Sequence, residues 1–335
     1  MSFRALLRDL LDRLLAQDPN GPARGASPDD ALAVLRSGDD DLMVLLDGAS
    51  RVRRHFKGDR VRLCAILNAR SGGCAQDCAF CAQSAHHRAA IDRHPMAGLD
   101  RVREAARAAE QAGACEFSLV TSGLGPGEPG EVEALAEAVR AVRATTGLEA
   151  CVSAGIVPES GLDDLRAAGL NRFHHNLEAA RSFYPEVCTT RDYAENERAV
   201  LAAKRAGLRV CCGGIFGMGE TPGQRVELLQ ALAALDVDSV PVNFLQPIPG
   251  TPLADRPLLA PLDGLRILAA ARMTLPAKDV IVCGGREATL RDFQGLVFHA
   301  GASGLLVGDY LTTKGRPAAD DLRLVRDLGL RVDAR

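Results

Sequence analysis

The chain has 335 residues, of which 47% are hydrophobic and 25% are charged. This is the composition of a folded globular protein, and it excludes disordered, collagen-like and membrane-embedded classes. The 40 basic and 43 acidic residues leave a net charge of -3, so no overall field attracts nucleic acid or an anionic membrane, and small molecules are the expected partners.

The first 58 residues are predicted to form a helical extension. Arg4, Arg8 and Asp9 interrupt the leucines of the first 17 residues, so this segment lacks the apolar run of a signal peptide or a membrane span. A cytoplasmic location is therefore expected. A second helical pattern covers Pro28 to Leu46, with Ser27 as its expected N-cap. Residues 59–335 are predicted to form one barrel domain.

From residue 61 onwards, short apolar runs alternate with longer amphipathic stretches. Eight runs are predicted to be strands: Val61 to Leu67, Glu116 to Thr121, Leu148 to Ala154, Arg172 to Leu177, Leu208 to Ile215, Ser239 to Leu245, Asp279 to Cys283 and Gly304 to Val307. Seven stretches are predicted to be helices: Leu99 to Ala112, Gly130 to Thr145, Glu159 to Ala168, Tyr193 to Ala206, Thr221 to Leu235, Leu262 to Met273 and Thr289 to Ala300. This alternation predicts an α/β fold, a TIM-type (β/α)8 barrel whose chemistry lies at the carboxyl ends of the strands.

Three cysteines lie in the loop that follows the first predicted strand. Cys74, Cys78 and Cys81 have the spacing CxxxCxxC within the segment Ser71 to Ser84. In a reducing compartment the chain's ten cysteines are not expected to form structural disulfides. Three thiolates can hold a 4Fe-4S cluster and leave its fourth iron open to a small molecule. The loop is therefore predicted to bind such a cluster.

A structural zinc site is the alternative for this loop. Zinc usually takes four Cys or His ligands, and His86 and His87 are available as a fourth. Structural zinc seldom lies in the first loop of a barrel, which favours the cluster. Three unpaired buried thiols are a weaker alternative in a polar, glycine-containing loop.

The loop and a series of later motifs resemble the biotin synthase family of radical S-adenosylmethionine enzymes. As in that superfamily, an aromatic residue, Phe80, precedes the last cysteine of the loop. The other matching motifs, spread over about residues 63 to 330, are Glu149-Ala-Cys151, Phe173-His-His-Asn-Leu-Glu178, Phe183-Tyr-Pro-Glu186, Thr189-Thr-Arg191, Val210 to Glu220, Ser239 to Asn243, Pro249 to Leu253, Gly284 to Glu287 and Gly308 to Thr313. The resemblance implies a sulfurtransferase that cleaves S-adenosylmethionine to a radical and inserts sulfur into dethiobiotin to form biotin.

The resemblance also implies which residues contact the cofactor and the substrate. Ile215 is expected near the adenine, Asn176 and Glu178 at the ribose hydroxyls, and Asn243 at the ureido ring of dethiobiotin or at the cofactor. The full expected cofactor-binding set is Phe80, Asn176, Glu178, Arg191, Ile215 and Asn243. Glu178 stands where the family commonly has Asp, and the longer carboxylate keeps the acceptor. Taken alone, Gly213 to Glu220 reads as a strand-to-helix turn, Asn243 as a turn cap and His174 as a core histidine.

A departure from the family concerns a second, auxiliary cluster that serves there as sulfur donor. Members hold it with three cysteines and one Arg, of which Cys151, Cys211 and Arg286 match here. Ser118 stands at the place of the third cysteine, and a hydroxyl is a poor ligand for iron. The usual 2Fe-2S cluster is therefore in doubt. The resemblance implies the catalytic residues Cys74, Cys78, Cys81 and Arg286.

Two further cysteines are candidates to compensate for Ser118. Cys64, Cys151, Cys211 and Cys283 fall on predicted strands one, three, five and seven, whose inward side chains meet inside a barrel. We expect these four, or three of them with a sulfide, to bind an auxiliary cluster that is 2Fe-2S or contains more iron. Strict alternation counted from Arg286 turns Cys283 outward unless Gly284 and Gly285 form a bulge. Each cysteine taken singly fits a small buried hydrophobe, which is the expectation for the remaining three, Cys115, Cys188 and Cys212.

Two other functions remain open. One is a sibling radical enzyme of metallocofactor maturation or carbon-skeleton rearrangement, since a fold does not fix a substrate. The other is a non-catalytic zinc or iron-sulfur binding protein. The family resemblance further implies an electron donor such as flavodoxin or ferredoxin, and a homodimer.

Overall fold

The N-terminal segment is helical, as predicted. The computed structural model describes residues 2–333, so residues 1, 334 and 335 of the two predicted segments lie outside the described residues. The segment contains α1 (Phe3–Leu15), α2 (Pro28–Leu35) and α3 (Leu42–Lys57). Between residues 2 and 333, no helix has the length and apolar character needed to cross a membrane.

Helix α2 begins at the predicted cap but ends early. The Ser27 hydroxyl accepts a hydrogen bond from the Asp30 amide (3.2 Å), and the Asp30 carboxylate accepts one from the Ser27 amide (3.1 Å), which forms a capping box. Gly38 and a 3-10 turn at Asp39–Asp41 then separate α2 from α3. The single helix predicted over Pro28 to Leu46 was therefore wrong, because glycine and a run of Asp disfavour a helix interior.

Eight parallel strand positions close into a barrel, as the sequence predicts. The described part of the chain contains ten strands: β1 (Arg60–Arg70), β2 (Glu116–Thr121), β3 (Glu149–Ser153), β4 (Arg172–His174), β5 (Arg209–Cys211), β6 (Gly214–Phe216), β7 (Ser239–Phe244), β8 (Asp279–Val282), β9 (Gly304–Leu306) and β10 (Arg331–Val332). The sheet order is β1-β2-β3-β4-β5-β7-β8-β9, and β9 pairs with β1 to close the ring. Strand β6 continues β5 and pairs with β7, and β10 adds to the start of β1.

Helices surround the barrel between the strands. They are α4 (Leu99–Gln111), α5 (Glu131–Thr145), α6 (Glu159–Ala167), α7 (Tyr193–Arg205), α8 (Pro222–Ala234), α9 (Pro261–Thr274), α10 (Arg286–Leu290) and α11 (Ala318–Asp327). The first six lie where the sequence predicts them. The helix predicted over Thr289 to Ala300 is instead the short α10 followed by a 3-10 segment, Arg291–Leu296, and α11 was not predicted.

The fifth barrel strand is broken because two glycines meet neighbouring backbone. A Cβ added to Gly213 would lie 2.0 Å from the Pro241 carbonyl oxygen, and one added to Gly214 would lie 2.6 Å from the Glu178 carbonyl oxygen. These glycines let β6 approach the end of β4, where the Ile215 amide donates to the Glu178 carbonyl (2.8 Å). The glycines of this motif thus serve the packing of the barrel end.

The N-terminal helices share one hydrophobic core with the barrel. Helices α2 and α3 pack on α9, and α2 also packs on α8. Every residue of α9 from Gly264 to Thr274 is buried, because the helix lies between the barrel strands and the N-terminal helices. The boundary at residue 58 stays a prediction.

Candidate functional site

A cavity of about 340 Å³ runs from the loops at the carboxyl ends of the strands into the barrel. Its deepest wall residue on β2 is Glu116, at the start of that strand, and its upper wall includes Phe80 and Cys81 of the cysteine loop. Predicted site residues on its wall are Cys64, Phe80, Cys81, Cys151, Asn176, Glu178, Cys211, Ile215, Asn243 and Cys283. The structure thus brings ten predicted residues to one cavity.

The cysteine loop folds back on itself above β1. The Cys74 amide donates to the Gln83 carbonyl (3.0 Å), and the Cys74 carbonyl accepts from the Ala85 amide (2.7 Å). The Cys81 amide donates to the Cys78 carbonyl (2.9 Å). Cys78 is buried, and Cys74 and Cys81 are half-buried. Burial raises the pKa of the Cys81 thiol to about 11.

The two histidines considered as zinc ligands hold the loop backbone. His86 Nε2 donates to the Ala75 carbonyl (3.0 Å), and His87 Nε2 donates to the Cys78 carbonyl (3.0 Å). Their rings therefore serve as backbone donors that fix the loop between the cysteines.

A second segment fastens the loop from outside, and the sequence reasoning missed it. The Asp77 carboxylate accepts from the amides of Thr189 (2.9 Å) and Thr190 (3.2 Å) and from the hydroxyls of both residues. The Ala79 amide donates to the Val187 carbonyl (2.8 Å). Cys188 of this segment is buried in the hydrophobic core, as expected of a packing residue, and its thiol lies 3.6 Å from the Thr190 hydroxyl.

Asn176 and Glu178 leave the end of β4 towards the upper cavity. Asn176 Nδ2 donates to the Glu178 carboxylate (3.2 Å), and its Oδ1 accepts from the Gly213 amide (3.0 Å). Glu178 has a positive φ of 67°, which is rare for a residue with a side chain and common at functional sites. Burial raises the pKa of Glu178 to about 7, although Arg191 opposes the shift.

Arg191 and His174 lie beside this pair. Arg191 Nε donates to the Tyr184 hydroxyl (3.2 Å), and Arg191 is not among the residues that line the cavity. His174 lines the cavity, and burial lowers its pKa to about 4, so the ring is neutral at physiological pH.

Asn243 links two strand ends at the cavity wall. Its Nδ2 donates to the Gly214 carbonyl (3.2 Å), and its Oδ1 accepts from the Gly284 amide (3.0 Å). An amide side chain has two N–H donors and two oxygen lone pairs, so one donor and one lone pair remain for a ligand. Asn243 therefore combines the backbone-capping role with a place on the cavity wall.

All four barrel cysteines proposed as auxiliary ligands reach the cavity wall. Cys64, Cys151, Cys211 and Cys283 are each at most 8% exposed, and Ser118 lines the same wall beside them. Cys64 and Cys283 belong to one apolar cluster with Ile281 and Leu306. Burial raises the pKa of all four thiols, to about 12 for Cys211.

Cys283 faces inward because the strand ends before Arg286. Strand β8 ends at Val282, and Gly285 has a left-handed φ of 71°. A Cβ on Gly285 would lie 2.0 Å from the Phe244 carbonyl oxygen, so this turn requires glycine. Strict alternation counted back from Arg286 therefore does not apply.

Beneath the cysteines lies a charged network, which we call the floor of the cavity: Arg62, Glu116, Glu149, Arg172 and Arg209. Glu116 is 4% exposed and lies 3.1 Å from Arg62 Nη2 and 2.8 Å from Arg172 Nε. Glu149 pairs with Arg62 and, at 2.5 Å, with Arg209. The sequence reasoning missed this network, although Glu116 stands two residues before Ser118 and so shares its face of β2.

Arg286 is fully buried at the start of α10 but is not among the cavity-lining residues. Both of its Nη atoms pair with Asp321, at 3.0 and 2.6 Å. Burial favours loss of its charge, and the pairing with Asp321 outweighs this and raises the pKa of Arg286. The Arg286 guanidinium is thus committed to Asp321 and keeps its positive charge at the start of α10.

The donor sets of the cavity suit iron-sulfur clusters chemically. Thiolates are the usual ligands of such clusters, and the cavity offers the loop thiol of Cys81 at its mouth and four strand thiols below. Within residues 2–333 no group of three or more His, Cys, Asp or Glu side chains is placed so that it could hold a single metal ion. Asn176 and Glu178 add polar groups between the two thiol sets.

Two solved structures share the whole architecture. A methylornithine synthase has a TM-score of 0.83 at 21% identity, and the match covers 97% of both chains. The [FeFe]-hydrogenase maturase HydG has a TM-score of 0.80 at 17% identity, covering 99% of this chain and 78% of that one. At these identities the likeness shows the fold alone.

Family models and close relatives identify the chain. Residues 68–232 match the radical SAM superfamily, and residues 241–331 match the biotin and thiamin synthesis associated domain. The biotin synthase of Geobacter metallireducens is 48% identical over 91% of this chain and 93% of its own length. That of Geobacter sulfurreducens is 50% identical over 87% and 89%, and that of Pelobacter propionicus is 45% identical over 98% and 99%. The chain is therefore a radical SAM enzyme that belongs to the biotin synthase family.

Proposed function

We propose that the cavity binds S-adenosylmethionine and dethiobiotin and that the enzyme inserts sulfur into dethiobiotin to form biotin. The observation that carries this proposal is the order of side chains from the mouth of one cavity to its interior. Cys81 lies at the mouth, the polar side chains of Asn176 and Glu178 lie below it, and four strand thiols line the deeper wall. A sibling enzyme that only generates a radical has no need of the deeper thiols.

Cys74, Cys78 and Cys81 would hold a 4Fe-4S cluster. When bound, this cluster and S-adenosylmethionine supply the 5'-deoxyadenosyl radical that abstracts hydrogen from the substrate. The loop's contribution is to present the three thiols in fixed positions, and the backbone donors His86 and His87 and the Asp77 contact serve that purpose.

The nucleoside would lie between the loop and β6. Asn176 and Glu178 offer hydrogen-bond partners to the ribose hydroxyls, and Ile215 and Phe80 offer apolar contacts to the adenine. Arg191 keeps a positive charge near Glu178 and favours its ionised form. The free donor and lone pair of Asn243 suit the N–H and C=O groups of a ureido ring.

Cys64, Cys151, Cys211 and Cys283 would hold an auxiliary cluster, either 2Fe-2S or one with more iron. When bound, that cluster supplies the sulfur atom of the product. We propose that Arg286 acts on it through charge, because its guanidinium opposes the burial that raises the pKa of Cys283 while remaining paired to Asp321. An electron donor such as flavodoxin or ferredoxin, a homodimer and a cytoplasmic location belong to the same proposal.

An anaerobic assay tests the proposal. Protein reconstituted with iron and sulfide is incubated with dethiobiotin, S-adenosylmethionine and a reductant, and biotin is quantified alongside 5'-deoxyadenosine. We expect both products. Cofactor cleavage without biotin would support a sibling radical enzyme, and one zinc per chain without iron would support a binding protein. Mössbauer spectra that show iron in one cubane only would overturn the auxiliary cluster.

A further inference from the structure

Arg172 reaches across the inside of the barrel beneath the cysteines. It lies on β4, yet its Nε is 2.8 Å from the Glu116 carboxylate on β2 and its Nη1 donates to the Ser239 hydroxyl on β7 (2.8 Å). A side chain that contacts β2 and β7 from β4 must place its guanidinium in the barrel interior. Arg172 is 2% exposed, so this charge is removed from bulk water.

The strand registers place this guanidinium among three of the four thiols. Cys151 pairs in register with Arg172, and Cys211 pairs in register with Ser239, the residue that accepts the Arg172 hydrogen bond. Cys64 pairs in register with Glu116, the other Arg172 partner. Neighbouring strands lie about 4.8 Å apart, so these charges and thiols occupy adjacent levels of one interior.

An auxiliary cluster bound by the strand thiols would place buried negative charge beside them, and such charge needs a nearby cation. A cluster bound by thiolates brings several negative charges into a site where Coulomb interactions are stronger than in water. The resemblance implies that Arg286 meets this need, but both Nη atoms of Arg286 are committed to Asp321. Arg172 has one carboxylate partner, Glu116, which it shares with Arg62.

We propose that Arg172 is a second charge-compensating residue of the auxiliary cluster site, in addition to Arg286, and that Glu116 holds it in place and opposes its charge, an inference that rests on the auxiliary cluster proposed above. The two residues therefore act on the same cluster with opposite sign. Removing the cation makes the site more negative and disfavours the reduced cluster. Removing the carboxylate has the reverse effect.

The test is a redox titration of the auxiliary cluster in the intact, reconstituted enzyme. The auxiliary signal is separated from that of the loop cluster by EPR and by Mössbauer spectroscopy on isotopically enriched iron. We expect Arg172→Gln to lower the reduction potential and Glu116→Gln to raise it. Each should change the reduced-to-oxidised ratio at least tenfold at a fixed solution potential, which is about 59 mV for one electron.

Two further variants keep the result interpretable. Arg172→Lys preserves the charge and should leave the potential near that of the wild type. Arg209→Gln removes a cation of the same network whose side chain is 42% exposed, and it should leave the potential unchanged because water screens that charge. If Arg172→Gln does not fold, Glu116→Gln, which is nearly isosteric, decides the question.

Equal potentials in the wild type, Arg172→Gln and Glu116→Gln would overturn the assignment, as would shifts of the same sign in both variants. Those outcomes leave the proposed function standing, because a second cluster would still have been titrated. If the wild type contains no second cluster, the proposed function itself fails.

Discussion

Arg286 and Asp321 form a bidentate ion pair in which both side chains are fully buried, with Nη1–Oδ1 at 3.0 Å and Nη2–Oδ2 at 2.6 Å. The pair joins the turn after β8 to helix α11, the helix that the sequence did not predict. The Arg286 Nε is also buried and finds no partner among residues 2–333. The residue that resemblance places at a cluster thus also holds the C-terminal helix to the barrel.

Asp321→Asn should destabilise the protein strongly, because it leaves the buried Arg286 charge without a counter-ion. Breaking a buried pair on one side typically costs about 3–5 kcal/mol. We expect a loss of that size in the free energy of unfolding, measured by urea denaturation of the apoprotein. The matched control is Asp320→Asn on the same helix, whose partner Arg323 is 61% exposed. That pair should contribute no more than about 0.5 kcal/mol. Similar losses in both variants would contradict the importance of the buried pair.

The barrel could be predicted because its signal is local and repeated. Eight short apolar runs alternate with helical patterns, and all eight were placed within a few residues of their observed positions. The predicted bounds of helices and strands needed correction where a few residues determine the backbone conformation. Gly38 separates α2 from α3, and the crowded Gly213 and Gly214 divide the fifth strand. Such effects depend on neighbours that are distant in the sequence.

The site divides in the same way. The family resemblance and the positions on alternate strands were enough to direct Cys64, Cys151 and Cys211 inward. The direction of Cys283 depended on the left-handed turn at Gly285, which alternation does not describe. The Arg172 contacts join strands β2, β4 and β7, and the Asp77 contacts join segments more than 100 residues apart. No single window of sequence contains either set.

Cys64 and Ser118 should be interchangeable as sources of an auxiliary ligand. Both line the cavity on adjacent strands, and a serine hydroxyl is a poor iron ligand where a thiolate is a good one. Cys64→Ser should therefore lose the iron of the auxiliary cluster and abolish biotin formation. Adding Ser118→Cys to that variant should restore auxiliary iron, because a thiolate again replaces the lost ligand. Iron and sulfide analysis of the reconstituted proteins gives the measurement.

Cys115→Ser is the control for this exchange. Cys115 is buried next to β2, and its thiol donates to the Leu63 carbonyl (3.4 Å) outside the cavity lining. Its substitution should leave the iron content unchanged. Full auxiliary iron in Cys64→Ser alone would show that Cys64 is not a cluster ligand. No recovery of iron in the double variant would show that a thiol at position 118 cannot replace the one at position 64.

Asp77→Asn should loosen the cysteine loop. Burial raises the pKa of this carboxyl, but hydrogen bonds from Thr189, Cys188 and Thr190 outweigh it and hold the pKa well below its usual range. A hydrogen bond to a charged group contributes about 1.5–3 kcal/mol. The amides of residues 71–84 should therefore exchange with deuterium roughly 10- to 100-fold faster in the apoprotein. Asp92→Asn, an exposed substitution close to the loop, should leave the exchange unchanged, and equal protection in both variants would contradict the contact.

The same lowered pKa fixes how this contact responds to acid. The folded-state pKa of Asp77 lies below the usual value of 3.8, so its contribution is fully present above that pH and is lost as the pH falls further. Between pH 5 and 8 the Asp77 contact should therefore be constant. A pH effect seen in that range must come from another group, and Glu178, whose pKa is raised to about 7, is one candidate.

Glu178 should make the apoprotein less stable as the pH rises from 5 to 8. Its pKa is raised from 4.5 to about 7, so folding favours the neutral acid, and this advantage is lost as the pH passes through the folded-state value. Glu178→Gln keeps the shape of the neutral acid and cannot ionise. Relative to the wild type, this variant should therefore gain stability between pH 5 and pH 8. Because the side chain borders the open cavity, we expect a gain on the order of 1–3 kcal/mol, below the full value of the shift.

Urea denaturation at both pH values measures this gain in the free energy of unfolding, with exposed Glu186→Gln as the control. A stability difference that is the same at pH 5 and pH 8 would show that the Glu178 carboxyl does not titrate in this range.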